Sequence, residues 1–503
     1  MSVEDAIAMY LDGFADIPGP PRAENGPADT PLGDGSRQLD SQTEAAASGE
    51  DRGVSVSGQD KSPVKGYGKT IVIPGIVPPS FLDGDGHHDR YGFRKANHHV
   101  TIEQYEAWNQ GYSSYLTQQK IKWDELLTEN GLPTRNPATF PAKCSRMKRF
   151  VRKGIPPEYR GAAWFYYAGG YELMKRNPGH FDRLVKKAMC TSKNDDKEHI
   201  ERDLHRTFPD NIHFKPELSM SAAGSDGGER ESVVVETQMI QSLRRVLYAF
   251  ALHNPKVGYT QSLNFIAGLL LLFLPEENAF WMLHIVTSEY LPGTHEVSLE
   301  GADIDLWILM VLLRNASPNV YAKIASSTPR AMKGKPAAPT VQSQLPDITL
   351  GLTNWLMSLF IGTLPLETTL RVWDVLFYEG SKTFFRVSMA IFKACEKDIL
   401  AVSDPMEVFQ VIQTRPKKLL DANYVMDECF ARKLRVGQNR VEDLRASRRA
   451  AMREKESKSG YEEQTTPQER TRERTATRTK SRSRRHDRNV AESFRQFRNH
   501  AFG

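Results

Sequence analysis

From about residue 150 to residue 430, apolar side chains recur every three or four positions and almost never every second one. Ile240, Leu243, Leu247 and Phe250 make one stripe, Phe280, Leu283 and Val286 a second, and Ile304, Trp307, Leu309, Val311 and Leu312 a third, denser one. A period near 3.6 lays such residues along one side of an α-helix, whereas a half-buried strand needs alternation. The pattern therefore predicts an all-α fold, a single large multi-helix domain over residues 150–430. Two stretches break the period: residues 219–231 are rich in Gly and Ser, and residues 326–344 in Pro, Lys and Ala. Helical sequence resumes after each, so both read as surface insertions rather than domain boundaries.

The flanks behave differently. Residues 1–68 carry many Gly, Pro, Ser and Asp and few large apolar groups, too few to offset the entropy of ordering, and are expected to be mostly disordered. Residues 69–149 read as a pre-domain segment: an extended strip over 69–80 that its prolines keep out of a central strand, then an amphipathic helix. That helix opens with a capping box, Thr101 and Gln104, and shows an aromatic face through Tyr105, Trp108, Tyr112 and Tyr115 toward Trp123, which needs the main domain to cover it. Residues 431–503 form a charged, basic tail, helix-prone over 439–455 and then expected to be largely disordered.

Charge and cysteine usage narrow the function classes. The formal charge is +5, yet residues 470–488 hold nine Lys or Arg against two acidic residues, so the rest of the chain is close to −2. A near-neutral main body argues against a nucleic-acid-binding domain, while the tail suits a membrane periphery or an acidic partner. Cys144, Cys190, Cys395 and Cys429 are scattered without CxxC pairs or histidines at zinc spacing, so no metal site is expected. The first residues lack the basic and apolar regions of a signal peptide, and the greasiest run, residues 263–274, is about half the ~20 residues a membrane span needs. The expected setting is cytoplasmic, with peripheral attachment to endomembranes as an extension.

Three further motifs carry weaker chemical signals. Gly68-Lys69-Thr70 imitates the end of a phosphate loop, but Pro63 stands where its first Gly belongs. Asp83, Asp85, His87, His88 and Asp89 crowd one loop at spacings that fit no calcium or zinc motif, and read as a solvated turn. Tyr91-Gly92-Phe93 reads as a packing clip.

The strongest signal is a pair of segments about fifty residues apart. Residues 200–209, IERDLHRTFP, set Arg206 three positions after Asp203, and residues 258–264, GYTQSLN, set Gln261 after Tyr259 ahead of an apolar helix. Taken alone, Asp203 and Arg206 make an ordinary surface ion pair worth a few tenths of a kcal/mol, and Tyr259 with Gln261 an ordinary turn. In this order, and with two further motifs, they resemble the TBC domain of GTPase-activating proteins that act on Rab-type GTPases. The further motifs are RKGIPPEYRGAAW over residues 152–164 and the late group Trp355, Leu359, Phe360, Pro365, Glu367, Leu370, Arg371, Trp373, Asp374 and Phe377.

The resemblance implies an arginine finger at Arg206 and a glutamine finger at Gln261, supported by Ile200, Asp203 and Tyr259. It implies structural roles for Arg160, Trp164, Arg371, Trp373 and Asp374. The protein would need no cofactor of its own, since a Rab-type partner brings GTP and Mg²⁺. A cation offsets charge on the transferring phosphoryl group and an amide orients the attacking water. One departure stands beside the second finger: this chain has Thr260-Gln261-Ser262 where the family commonly has Cys-Gln-Gly, and a Gly there would carry more backbone freedom. The alternative reading is a catalytically silent scaffold of the same fold that binds a GTPase or membrane machinery.

Overall fold

Thr101 opens the first helix described by the computed structural model, which covers residues 86–464 apart from 216, 221–231 and 326–338. Its hydroxyl accepts from the Gln104 amide and the Gln104 side chain accepts from the Thr101 amide, so both halves of the capping box form. Helix α1 (Ile102–Glu129) is followed by α2 (Ser145–Lys153), α3 (Pro157–Tyr167), α4 (Gly170–Arg176), α5 (His180–Cys190) and α6 (Asp195–Leu204). Strands β1 (Glu217–Met220) and β2 (Ser232–Val235) come next. Then follow α7 (Gln238–His253), α8 (Leu263–Leu271) and α9 (Glu276–Ile285), the last running into a π-helical turn at Val286–Tyr290. The chain continues through α10 (Glu300–Ala316), α11 (Pro318–Ala325), α12 (Thr349–Met357), α13 (Leu366–Glu379), α14 (Lys382–Ala401), α15 (Pro405–Thr414), α16 (Ala422–Cys429) and α17 (Gln438–Gln464).

The helical period thus reads correctly, with one addition. β1 and β2 pair antiparallel, Glu217 opposite Val235, as a short hairpin at the base of the first insertion. The run Ser-Val-Val-Val over 232–235 is its trace in the sequence, since β-branched residues favour strands. The strip at 69–80, the acidic end of the loop at Asp83 and Asp85, and the basic stretch at 470–488 lie outside the described residues.

Two helices act as hubs. α7 packs on α5, α6, α8 and α9, while α13 packs on α2, α3, α14 and α16. Every residue of α13 from Glu367 to Tyr378 is buried, charged ones included. Buried charges need partners, and the fold supplies them. Arg160 of α3 is fully buried and reaches Glu367 at 2.5 Å and Asp374 at 3.3 Å. Asp374 also accepts from the Trp164 indole at 2.8 Å and the Ile155 amide at 3.0 Å. Arg371 donates to the Arg152 carbonyl and the Asn423 side chain, both at 2.9 Å. Trp373 donates to the Leu359 carbonyl at 3.1 Å, and its ring meets that of Trp164 edge-on, centroids 5.7 Å apart. Gly161 lets α3 press against the chain that follows α8: a Cβ there would sit 2.2 Å from the Phe273 carbonyl oxygen.

α1 is bound into the same network. The Tyr112 hydroxyl donates to Glu367 at 2.9 Å, and the Trp123 indole donates to the Gly154 carbonyl at 3.0 Å. The packed body also runs past residue 430, where sequence reading ends the domain. Arg445 and Arg448 of α17 are buried: Arg445 grips Asp305 with two bonds of 2.8 and 2.7 Å, and Arg448 holds Asp303 at 3.0 Å and the Val341 carbonyl at 2.6 Å. These arginines cover α10 rather than solvent, so this part of the tail is a component of the fold. A chain carrying Arg445→Met keeps α17 over α10 and leaves Asp305 buried without its cation. It is expected to lose about 3–5 kcal/mol, read as a lower urea midpoint, and equal midpoints for variant and wild type would refute the role of this pair.

Candidate functional site

α6 begins where the Asn194 side chain accepts from the Lys197 amide, and it ends at Leu204, two residues before Arg206. An ordinary i,i+3 ion pair would need the helix to run on through Arg206. Instead the Arg206 and Thr207 amides fold back onto the Asp203 and Leu204 carbonyls at 3.2 Å each, Phe208 takes φ +50°, and Pro209 follows with no N–H to offer. Arg206 therefore sits on a turn beyond the helix end, with its side chain 47 % exposed.

Asp203, one step inside, is 5 % exposed at its side chain and joins both segments. Its Oδ1 accepts from the Arg206 guanidinium, and its Oδ2 accepts from the Tyr259 hydroxyl at 2.7 Å. Burial, reinforced by the Asp203 carboxylate, pushes the Tyr259 hydroxyl well above its ordinary range, so it stays a neutral donor. A second tie runs through Asn264 at the start of α8. Its amide nitrogen donates to the Thr207 hydroxyl at 2.9 Å and its oxygen accepts from the Ser262 amide at 3.0 Å. Arginine and glutamine segments are thus fastened twice, by one carboxylate and one carboxamide. Ile200 lies fully buried in the core beneath them.

Gln261 is half-buried, and its carboxamide oxygen is shielded from solvent without a hydrogen-bond partner in the protein. An acceptor left unpaired in this way costs about 1–3 kcal/mol, so no internal bond holds the amide in this pose. The next residue, Ser262, has φ +89° and ψ −30°, and its hydroxyl is also buried and unpartnered. A left-handed backbone costs a non-glycine residue roughly 1–2 kcal/mol. Replacing Ser262 with Gly is expected to raise stability by about 1 kcal/mol, after allowing for the greater freedom of Gly in the unfolded chain. Urea unfolding measures it, and a destabilised variant would mean that the strain is relieved elsewhere.

The Tyr91-Gly92-Phe93 segment links the interior network to the chain just past Arg206. The Tyr91 hydroxyl accepts from Arg160 at 2.6 Å and donates to Glu367 at 2.8 Å. Its carbonyl accepts from the Asn211 side chain at 2.9 Å, and the Gly92 carbonyl from the Ile212 amide at 3.0 Å. The clip thus ties the Arg160 network to the turn that follows Arg206. Asp89, expected in a solvated turn, instead accepts from the Tyr91 and Phe93 amides at 2.9 Å each and fixes the clip. Arg160, Trp164, Arg371, Trp373 and Asp374 all belong to this interior network, not to the exposed site. Asn264, Thr207 and Asp196, which accepts from the Tyr259 amide at 3.0 Å, were not singled out by sequence reading. Their partners lie some 57 to 63 residues away, and no periodicity marks them.

Comparison with known proteins places this geometry in context. Residues 230–400 match the model of the Rab-GTPase-TBC domain, a span that includes Gln261 and the Arg371–Asp374 group and starts after Arg206. The chain is 41 % identical over 403 residues to the GTPase-activating protein GYP3 of Saccharomyces cerevisiae, covering 71 % of this chain and 62 % of that one. It is 38 % identical over 391 residues to the GTPase-activating protein MSB4 of the same yeast, covering 69 % and 76 %. The chain thus spans under two thirds of GYP3. Among solved structures, the Chlamydomonas flagellar RabGAP TBC domain superposes with a TM-score of 0.52 at 26 % identity, covering 68 % of this chain and 99 % of that domain. Among the described residues no helix is long and apolar enough to cross a membrane.

Proposed function

Because this chain belongs to the Rab-GTPase-TBC domain family, we propose that it accelerates GTP hydrolysis by a Rab-type small GTPase, with Arg206 and Gln261 as the two groups it lends to the reaction. The observation that carries the reading is the shared carboxylate of Asp203, one oxygen on Arg206 and the other on Tyr259 two residues before Gln261. That link makes one surface feature of two segments distant in sequence. The GTPase supplies GTP and Mg²⁺. The guanidinium of Arg206 offsets negative charge as it spreads over the phosphoryl oxygens, and the carboxamide of Gln261 orients the attacking water.

Asp203 has a specific task here. An arginine side chain samples many rotamers, and a carboxylate at its base narrows them before the partner arrives. The half-exposed guanidinium remains free to trade part of that contact for phosphate oxygens. Gln261 must turn its oxygen outward to meet water, and it gives up no hydrogen bond in doing so. By this reading the protein works in the cytoplasm on membrane-borne GTPases during vesicle trafficking, with its basic tail as a contact for acidic lipid or an acidic partner.

The test is single-turnover GTP hydrolysis by a panel of Rab proteins, with the wild-type chain and Gln261→Ala. At least one Rab should be strongly accelerated by the wild type and much less by the variant. A panel with no accelerated member, although one member binds, would favour the silent scaffold instead.

A further inference from the structure

Asp196 lies in the first turn of α6, seven residues before Asp203 and so on the same face of the helix. Its Oδ1 accepts the Tyr259 amide at 3.0 Å, and the two sit 63 positions apart in sequence. The contact is close. Gly258 adopts φ +56°, and a Cβ added there would meet Asp196 Oδ1 at 2.8 Å and Oδ2 at 3.1 Å. The carboxylate is thus seated against the Gly258–Tyr259 peptide, where only glycine fits. Tyr259 is consequently held to α6 at both ends, its amide by Asp196 and its hydroxyl by Asp203.

The rest of the loop is held by backbone and neutral side-chain groups, among them the Leu263 amide on the Thr260 carbonyl at 3.2 Å, which spans Gln261. It enters through the Gly258 amide on the Asn254 carbonyl at 2.8 Å and leaves through the Ser262 amide on Asn264 at 3.0 Å. Between them, the Thr260 hydroxyl meets the His295 carbonyl at 3.1 Å. Asp196 is the charged group that fixes the backbone on the approach to Gln261, and it does so from the same helix whose end leads into Arg206.

We propose that Asp196 is a positioning residue: it sets the distance and aim of Gln261 relative to Arg206 by locking the Tyr259 peptide onto α6. This rests on the GTPase-activating reading above and adds a residue to it. The competing account is that Asp196, like its neighbours Asp195 and Glu198, only complements the positive end of the helix. The two accounts diverge on substitution. Asn keeps an oxygen acceptor and loses the charge; Ala loses both; and Asp195→Ala removes a charge from the same turn at an exposed residue.

Two measurements on the full chain decide it. The first is hydrogen exchange of peptides spanning residues 257–263, which needs no GTPase. Asp196→Ala should speed exchange at the Tyr259 amide by tenfold or more, Asp196→Asn by much less, and Asp195→Ala not at all, while α6 peptides stay unchanged; a loosening of about 1.4 kcal/mol gives that factor. The second is single-turnover hydrolysis with a responsive Rab. Asp196→Ala should lower the maximal rate by about 10- to 100-fold, the scale expected when a catalytic group is misplaced by about 1 Å, with the Rab concentration for half-maximal rate nearly unchanged. Added to Gln261→Ala, it should have almost no further effect. Unchanged exchange in Asp196→Ala, or equal effects of Asp195→Ala and Asp196→Ala, overturns the proposal whether or not any Rab responds. Faster exchange in Asp196→Ala with full hydrolysis keeps the GTPase-activating reading and removes the positioning role.

Discussion

Replacing Arg206 with Ala is expected to slow hydrolysis on a responsive Rab by about 10³- to 10⁵-fold, which is roughly 4–7 kcal/mol of barrier. The loss should fall on the maximal rate rather than on binding, since a finger acts where charge develops and contributes little to the ground state. The fold should survive. Arg206 is half-exposed, so its pair with Asp203 is screened and contributes little stability, and Asp203 keeps the Tyr259 hydroxyl as a donor. Arg206→Lys should remain close to Ala in rate, because a compact ammonium cannot reproduce the planar fork. Circular dichroism and urea midpoints near wild type, with hydrolysis lost, make the expected result. Equal rates for wild type and Arg206→Ala would remove Arg206 from the reaction.

The second large effect concerns stability. Arg160→Met should destabilise the fold by about 3–5 kcal/mol, because it strands Glu367 and Asp374 in an interior that solvent does not reach. The direction follows from the present balance. Burial alone would raise Glu367, yet the adjacent guanidinium and its hydrogen bonds hold it below the usual carboxylate range. Without the cation that compensation disappears and burial dominates. Lys at position 160 should rescue little, since the native contacts to Tyr91, Glu367 and Asp374 diverge from three guanidinium nitrogens. Because Tyr91 also clips the turn after Arg206, hydrogen exchange around residues 208–212 should rise in the variant even below its unfolding midpoint. An unfolding free energy from urea within about 1 kcal/mol of wild type would show that the network is dispensable.

Much of the fold was readable because burial imposes a period. The stripes at Ile240–Phe250 and Ile304–Leu312 became α7 and α10, and the Thr101 capping box opened α1. What escaped was set by partners remote in sequence. α17 is charged at about half of its positions, its inward face buries only Val441 and Leu444 as an apolar mark, and its inward arginines answer carboxylates more than 100 residues upstream, which a local pattern this short does not reveal. Asp196 and Asn264 are short polar residues at helix starts, which one-dimensional reading assigns to capping. Ser262 is an intermediate case. Its departure from Gly was visible, but only the positive φ explains why Gly suits the position.

The pairing of Arg445 with Asp305 also has a consequence for biosynthesis. The two are 140 positions apart, so a ribosome adding about 5–20 residues per second exposes the carboxylate some 7–28 s before its counter-ion exists. During that interval the face of α10 that α17 covers stays open to water, and its enclosure awaits a helix made 140 positions later.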